Sequence, residues 1–257
     1  MKLNINAICD CGCVRGNNED MVSLGGILLR DEKISTPVSI DDDGYFYLLV
    51  ADGMGGHDRG EMASSMLMEH LRECFHFGDI DPENFAEEFT REVKYVSIKM
   101  NDMARYEQQE KPMGCTLSGI VWLNGHAWLV NAGDSRTYIF RDGLIQQISY
   151  DDENPDGALT NCIGGGTETT LAVFEITERL RDDDIVLVCS DGLGDVADDD
   201  TLEYWLTNSP RPAEDLLDWA EENGSSDNIS IIAAVIGGGD FASAEGPDDD
   251  GRFDAWA

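Results

Sequence analysis

The chain has 257 residues, 42% of them hydrophobic, and a formal charge of −35 from 52 Asp and Glu against 17 Lys and Arg. That length and apolar content fit one large domain with an ample core. The charge excludes nucleic acid and anionic membrane surfaces as general partners, because both are negative, and favours cations and partners with basic segments.

Most of these carboxylates serve solubility. No apolar run in the sequence reaches the length of a membrane span. The N-terminus carries no secretion signal, so the seven cysteines are expected to be reduced thiols of a cytoplasmic protein. Cys9, Cys11 and Cys13 alternate, which would place all three on one face of a strand, where they make poor disulfide partners. Paired C-x-x-C spacing, the signature of a thiolate metal clip, is missing.

Residues 3–9 read as a first strand, followed by the polar turn Val14-Arg15-Gly-Asn-Asn-Glu19-Asp20. Residues 24–44 read as a peripheral hairpin with a Gly- and Asp-rich tip. Tyr45 to Ala51 is a continuous apolar run that suits a strand covered on both faces, and it stops at Asp52 before a Gly-Met-Gly-Gly turn. Met62, Met66, Leu67, Leu71, Cys74 and Phe75 fall at helical steps over 60–75. A second helix starts near Asp81-Pro-Glu and carries Phe85, Phe89, Val93, Val96, Met100 and Met103 on one face.

From Gly114 the period changes to strands at 115–123, 126–132, 136–140 and 144–149, a meander turning at Asn124-Gly125 and Asp142-Gly143. Residues 150–170 read as loop, and strands follow at 171–176 and 184–190, the second ending in Ser190-Asp191-Gly-Leu-Gly. Helices at 199–207 and 211–223 precede a last strand, 229–236, introduced by Ser226-Asp227-Asn228. Residues 1–237 form the domain, and 238–257 read as a flexible acidic tail whose Phe241, Phe253 and Trp256 leave room for docking. Antiparallel sheets stacked face to face, with helices on both outer sides, would bury all of these apolar stripes.

Asp52 and Asp191 close strands and Asp227 opens one, so all three are expected at the same sheet edge. Two carboxylates about 5 Å apart repel by roughly 3 kcal/mol at an effective dielectric near 20. Gathering three therefore needs a cation, and oxygen-only donors suit Mg²⁺ or Mn²⁺. His57, His70, His76 and His126 are too scattered for a zinc site. A pair of divalent ions can activate water and clamp an in-line displacement at phosphorus. Arg15 beside such a cluster is suited to hold phosphate oxygens bidentately.

Taken together, Arg15-Gly-Asn-Asn-Glu19-Asp20, Val50-Ala-Asp52-Gly-Met-Gly-Gly-His57 with Gly60-Glu-Met-Ala-Ser64, Gly114-Cys-Thr116, Asn131-Ala-Gly-Asp134-Ser-Arg136, Ser190-Asp191-Gly-Leu and Ser226-Asp227-Asn228 resemble the metal-dependent protein phosphatase family (type 2C), its bacterial branch most closely. The resemblance covers about residues 3–236 and rests on six motifs in order. It implies an α+β fold, a four-layer α-β-β-α sandwich of two antiparallel sheets flanked by helix pairs. It also implies hydrolysis of phosphoserine and phosphothreonine in proteins, by a metal-bridged hydroxide and without a phosphoenzyme.

Matched by position, Asp52 would bridge two ions and Gly53 would offer its carbonyl. Asp191 and Asp227 would bind the second ion, and Glu19 and Asp20 would hold metal-bound waters. Arg15 would grip the phosphate, Asn228 would orient the Asp227 loop, and Asp134 with Asp195 would match a third, weaker metal site of bacterial relatives. The implied partners are phosphorylated proteins, opposite a serine/threonine kinase, and the chain would work as a monomer.

Three features depart from the family pattern. Met54 stands where eukaryotic relatives place a histidine acid, leaving a metal-bound water as the proton donor, and His57 reads as a loop-structuring residue. Only Tyr150 to Gly166 stands where bacterial members carry a long flap, so selection of substrate by a flap is not expected. Cys9, Cys11 and Cys13 lie near Arg15 and raise the idea of redox sensitivity. Two other functions share the same fold: a catalytically silent scaffold, which the intact Asp52, Asp191 and Asp227 argue against, and a regulator phosphatase dedicated to one small folded phosphoprotein.

Overall fold

The structure is a computed structural model that describes residues 1–55, 58–74 and 80–242, the side chains of Asp58 and Cys74 excepted. Strands β1 (Lys2–Asp10), β2 (Met21–Leu24), β3 (Ile27–Leu29), β4 (Glu32–Ser39), β5 (Tyr45–Ala51) and β6 (Gly53–Met54) lead into helix α1 (Asp58–Cys74) and helix α2 (Phe85–Tyr106). Before α2, the Asp81 carboxylate accepts from the Glu83 amide at 3.0 Å and Pro82 opens a 3-10 turn, as the Asp-Pro-Glu signal predicts. Strands β7 (Gly114–Cys115), β8 (Leu117–Leu123), β9 (His126–Ala132), β10 (Arg136–Arg141), β11 (Leu144–Gln147), β12 (Ile163–Gly164), β13 (Ala172–Glu175) and β14 (Ile185–Cys189) follow. The single turn α3 (Asp191–Gly194), helices α4 (Asp199–Asn208) and α5 (Pro212–Glu222), and β15 (Ile229–Ile236) complete the order.

The strands form two six-stranded sheets, in the orders β11-β10-β14-β15-β1-β4 and β13-β9-β8-β5-β2-β3, and a small third sheet, β12-β7-β6. Every pairing between them is antiparallel. Leu48 and Val50 of β5 pack with Leu3 and Ile5 of β1 and with Val186 and Ile232, which fills the space between the large sheets. Tyr47, Leu49 and Ala51 of the same strand face Leu67, Leu71, Phe89 and Val93 of α1 and α2. Burial on both faces is why β5 reads as an unbroken apolar run. On the opposite side Leu187, Ile231 and Ala233 pack under Leu202, Leu206, Leu216 and Leu217 of α4 and α5. The result is the expected four-layer sandwich. Among the described residues, no helix is long and apolar enough to cross a membrane.

Four local expectations need correction. Residues 24–44 are not one hairpin: Gly25 and Gly26, at φ 55° and 95°, close the β2–β3 hairpin in one sheet. The chain then crosses to pair β4 with β1 from Lys2↔Ser39 to Cys9↔Glu32. The meander likewise divides, with β8–β9 in one sheet and β10–β11 in the other. Its corner is Gly133, at φ 105°, where a Cβ would lie 2.7 Å from the Thr116 side chain. The strand expected over 115–123 breaks at Thr116, so that β7 joins the small sheet, and the 150–170 loop contributes β12 to it.

Cys9, Cys11 and Cys13 do not share a strand face. β1 stops at Asp10, whose carboxylate accepts from the Gly12 amide at 2.8 Å and turns the chain. Cys9 is therefore buried, Cys11 half-buried and Cys13 exposed. Phe241, which the sequence places in the tail, is buried among the α4–α5 residues, and Asn4 Nδ2 donates to the Gly239 carbonyl at 3.2 Å.

Candidate active site

The mouth of the sandwich collects the carboxylates. β14 and β15 are antiparallel neighbours with Cys189 opposite Ile231, so Asp191 just past the first strand and Asp227 just before the second lie side by side. Asp52 arrives from the other sheet, between β5 and β6. The three thus meet across the two layers rather than along one sheet edge, which corrects the expectation. A hydrogen bond joins the Asp52 and Asp191 carboxyl groups. Arg15 Nη2 bonds to Asp227 Oδ2, and its Nε donates to the Ser226 carbonyl at 3.3 Å. Glu19 and Asp52 both act electrostatically on Arg15, and Asp191 and Asp227 both act on Asp20. Arg15, Glu19, Asp20, Asp52, Asp191 and Asp227, from four separate stretches of chain, are one cluster.

Their environment is hostile to negative charge. Burial, then repulsion from Asp20 and Asp191, holds the Asp52 carboxyl well above the ordinary carboxylate range. Burial pushes Asp20 up to about 7, against the pull of the Ser230 and Ser190 hydroxyls. Asp191 is raised mainly by burial, and Asp134 rises to about 6 through burial and the charge of Asp191. Asp195, the exposed cap of α3, also acts on Asp134 and Asp191.

Asp20 Oδ1 and Asp191 Oδ1 are buried with no hydrogen-bond partner. Unsatisfied, crowded carboxylate oxygens of this kind fit a hard divalent cation. As the side chains stand, no three acidic, His or Cys groups among the described residues close on a common point. Asp52 is bonded to Asp191 and Asp227 to Arg15, so the carboxylates share a site while their oxygens are turned to each other and to the guanidinium.

The backbone around the cluster is tightly tied. Asn228 takes the Glu19 amide on its Oδ1 at 2.8 Å and donates to the Cys11 and Asn17 carbonyls, both at 2.9 Å. It thereby locks the Arg15 loop to the Asp227 turn. Gly12 makes that lock possible, since a Cβ there would lie 2.3 Å from the Asp227 carbonyl oxygen. Thr116 brackets Asp52, accepting from the Asp52 amide at 2.9 Å and donating its own amide to the Asp52 carbonyl at 2.8 Å. A bond of 2.7 Å ties the Thr116 hydroxyl to Ser135, next to Asp134. At Gly53 a Cβ would fall 2.2 Å from the Gly60 carbonyl oxygen, and at Gly60 one would fall 2.3 Å from Glu19 Oε2. Both glycines let the Glu19 loop approach the first turn of α1, where the helix dipole favours a carboxylate.

Met54 is half-buried in β6, and His57 lies outside the described residues. Of the described imidazoles, His70 bonds to Glu92 at 3.0 Å and His126 to Glu175 at 2.8 Å. The sequence reading missed two supports. Ser230 donates to Asp20 Oδ2 at 2.7 Å, and Arg30 holds the Asp20 carbonyl at 2.8 Å while bonding to Glu61, Ser64 and Ser65 of α1. Neither sits in a motif, although a lone Arg between two short strands is a signal of a carboxylate or carbonyl to hold.

Residues 26–229 match the family model for protein phosphatase 2C. The chain belongs to that family. The matched span of this protein phosphatase 2C member contains Asp52, Asp134, Asp191, Asp195 and Asp227, while Arg15, Glu19 and Asp20 precede it. The serine/threonine protein phosphatase PstP of Mycobacterium tuberculosis is 30% identical over 267 residues, 95% of this chain and 47% of that protein. The chain thus spans about half the length of that curated relative. The serine/threonine phosphatase stp of Listeria welshimeri is 24% identical over 245 residues, 87% of this chain and 92% of that protein. A solved structure of the PstP catalytic domain in complex with two manganese ions superposes with a TM-score of 0.70 at 29% identity, covering 91% of this chain and 98% of that one.

Proposed function

We propose that the chain is a metal-dependent phosphatase that hydrolyses phosphoserine and phosphothreonine in proteins. The observation that carries this reading is the convergence of Asp20, Asp52, Asp191 and Asp227 on one partly desolvated mouth, with unpartnered oxygens and one arginine beside them. Two Mn²⁺ or Mg²⁺ ions would be held by Asp52, the Gly53 carbonyl, Asp191 and Asp227, with Glu19 and Asp20 holding their waters and Asp134 with Asp195 forming a third, weaker site. When bound, such ions supply Lewis acidity: they acidify water and neutralise charge on phosphoryl oxygens.

The protein's own residues orient and select. Arg15, half exposed at the rim and bonded here to Asp227, would exchange that carboxylate for the phosphate oxygens and fix the phosphorus for in-line attack. Asn228 holds the Arg15 loop and the Asp227 turn in register, so that phosphate grip and cation site keep one geometry. Thr116 fixes the Asp52 backbone in the same way. The half-buried Met54 offers no proton, so protonation of the leaving serine or threonine oxygen would fall to a water that the bound ions acidify. The domain is residues 1–237 with Gly239 and Phe241 packed against it, acting as a cytoplasmic monomer on phosphoproteins made by a serine/threonine kinase. The net charge of −35 favours phosphosites flanked by basic residues.

The experiment is turnover of a phosphothreonine peptide. Purified protein should hydrolyse it with Mn²⁺, stop in chelator, and resume when metal is restored, while Asp191→Asn stays inactive. Turnover indifferent to chelation, or an Asp191→Asn variant as active as the parent, would sink the reading.

A further inference from the structure

Arg136 opens β10 just past the corner that carries Asp134, and its guanidinium reaches three ways. Nε and Nη2 both lie 2.8 Å from Asp151 Oδ2, Nη1 donates to the Gly194 carbonyl, and the Tyr138 hydroxyl is a further partner. The Arg136 and Asp151 side chains are largely buried, at 20% and 16% exposure. Gly194 ends α3, the one turn that begins at Asp191 and is capped by Asp195. Four residues are too few for a helix to hold its own geometry, so the direction of this turn depends on what grips its ends. Its start is fixed by β14 and its C-terminal carbonyl is gripped by Arg136.

Gly194 is shaped for that contact, since a Cβ there would lie 3.1 Å from Arg136 Nη1. The anchor side is equally specific. Asp151 also accepts from Gln147 Nε2 at 2.7 Å, and its neighbour Asp152 exchanges two 3.0 Å bonds with Gly133, one from backbone to backbone and one to its carboxylate. The short segment after Tyr150 is thereby pinned to both sides of Asp134.

We propose that Arg136, anchored by Asp151, is a positioning residue that aims Asp191 and Asp195 at the cations they would hold, so that the segment standing in place of a flap sets metal affinity. The inference rests on the phosphatase reading above. Changing residues that orient ligands costs on the order of 10–100-fold in metal affinity.

The test is Mn²⁺ binding by calorimetry on the full chain for Arg136→Gln, Asp151→Asn, the double variant and a control, Arg141→Gln. Arg141 makes a comparable fork to the buried Asp184 at the opposite end of β10. Arg136→Gln and Asp151→Asn are expected to weaken Mn²⁺ binding by about tenfold or more. The double variant should be no weaker than the worse single one, because both changes cut one link. Metal needed for half-maximal turnover should rise by the same factor, while kcat at saturating metal stays within about threefold. Arg141→Gln should lower the melting temperature and leave Mn²⁺ affinity alone.

Parental Mn²⁺ affinity in both Arg136→Gln and Asp151→Asn would overturn the inference, as would an equal loss in Arg141→Gln. If the parent protein itself bound no Mn²⁺, the phosphatase reading would fall and take this inference with it. Should Arg136→Gln fail to fold, Asp151→Asn alone decides.

Discussion

Asp20 and Asp184 are each 1% exposed, yet they are treated in opposite ways. Asp184, before β14, has both oxygens engaged: Arg141 Nε and Nη2 each lie 2.6 Å away, and the Arg181 amide donates at 2.7 Å. Asp20, at the other end of the sandwich, draws only on the Ser230 and Ser190 hydroxyls, and its Oδ1 has no hydrogen-bond partner. It shares its space with Asp52, Asp191 and Asp227. A fold that can satisfy a buried aspartate completely at one end crowds four aspartates together at the other and leaves Asp20 Oδ1 and Asp191 Oδ1 buried without a partner. Structural carboxylates are paired, whereas a cluster that is not paired is suited to an exogenous cation.

The contrast can be broken first by mutation. Asp191→Asn is expected to lower phosphopeptide turnover by about a thousandfold or more, the scale of losing a principal electrostatic element of a site, with a circular dichroism spectrum and melting temperature close to the parent's. Arg141→Gln should do the reverse, leaving Asp184 buried without its fork, so that the protein melts several degrees lower while turnover at low temperature persists. Loss of activity in both, or in neither, would erase the distinction between the two ends. Asn228→Ala removes three bonds that join the Arg15 loop to the Asp227 turn. It should cost roughly 10–100-fold in kcat/KM, and a phosphate-ester substrate series would show the loss to be common to all members.

A smaller effect comes from pH. Asp20 and Asp134 carry folded-state pKa values of about 7 and about 6, raised from 3.8. The folded protein therefore holds more protons than the unfolded chain between those limits. Their contribution to stability is complete below about pH 4 and is lost as pH rises through 6 to 7. Metal-free protein should accordingly melt lower at pH 7.5 than at pH 5.5. Bound Mn²⁺ takes over the role of those protons, so the melting-temperature rise it produces should be larger at pH 7.5. Differential scanning calorimetry at the two pH values, with chelator and with Mn²⁺, reads both signs. Least affected of all should be Cys13→Ser: the thiol is exposed on a turn, and turnover should stay within about twofold.

Much of the mouth was legible because Asp52, Asp191 and Asp227 each sit where an apolar strand starts or stops, and such boundaries are read from local periodicity. The unbroken apolar run of β5 likewise announces burial on both faces. Which sheet a strand joins is a non-local matter. Gly133-Asp134 and Gly25-Gly26 signal a turn equally well whether the chain doubles back within a sheet or crosses to the other, so the division of the meander and of residues 24–44 was hidden. The Cys9–Cys13 alternation misled for a related reason. Asp10 and Gly12 form a local turn whose energy outweighs the continuation of β1, and the pattern of thiols carries no trace of it. Ser230 was invisible because a hydroxyl inside a strand acquires its partner only when Asp20 is brought to it from elsewhere in the chain, and Arg30 signalled an acceptor to hold without saying which.

The most direct test is a single Mn²⁺ titration of metal-stripped protein, followed in parallel by melting temperature and by turnover of a phosphothreonine peptide. If the under-satisfied carboxylates at the mouth are the seat of both stability and chemistry, the two curves rise together with the same half-maximal metal concentration, and both vanish in Asp191→Asn. Turnover that saturates while the melting temperature stays flat, or a melting-temperature rise that Asp191→Asn retains in full, would contradict it.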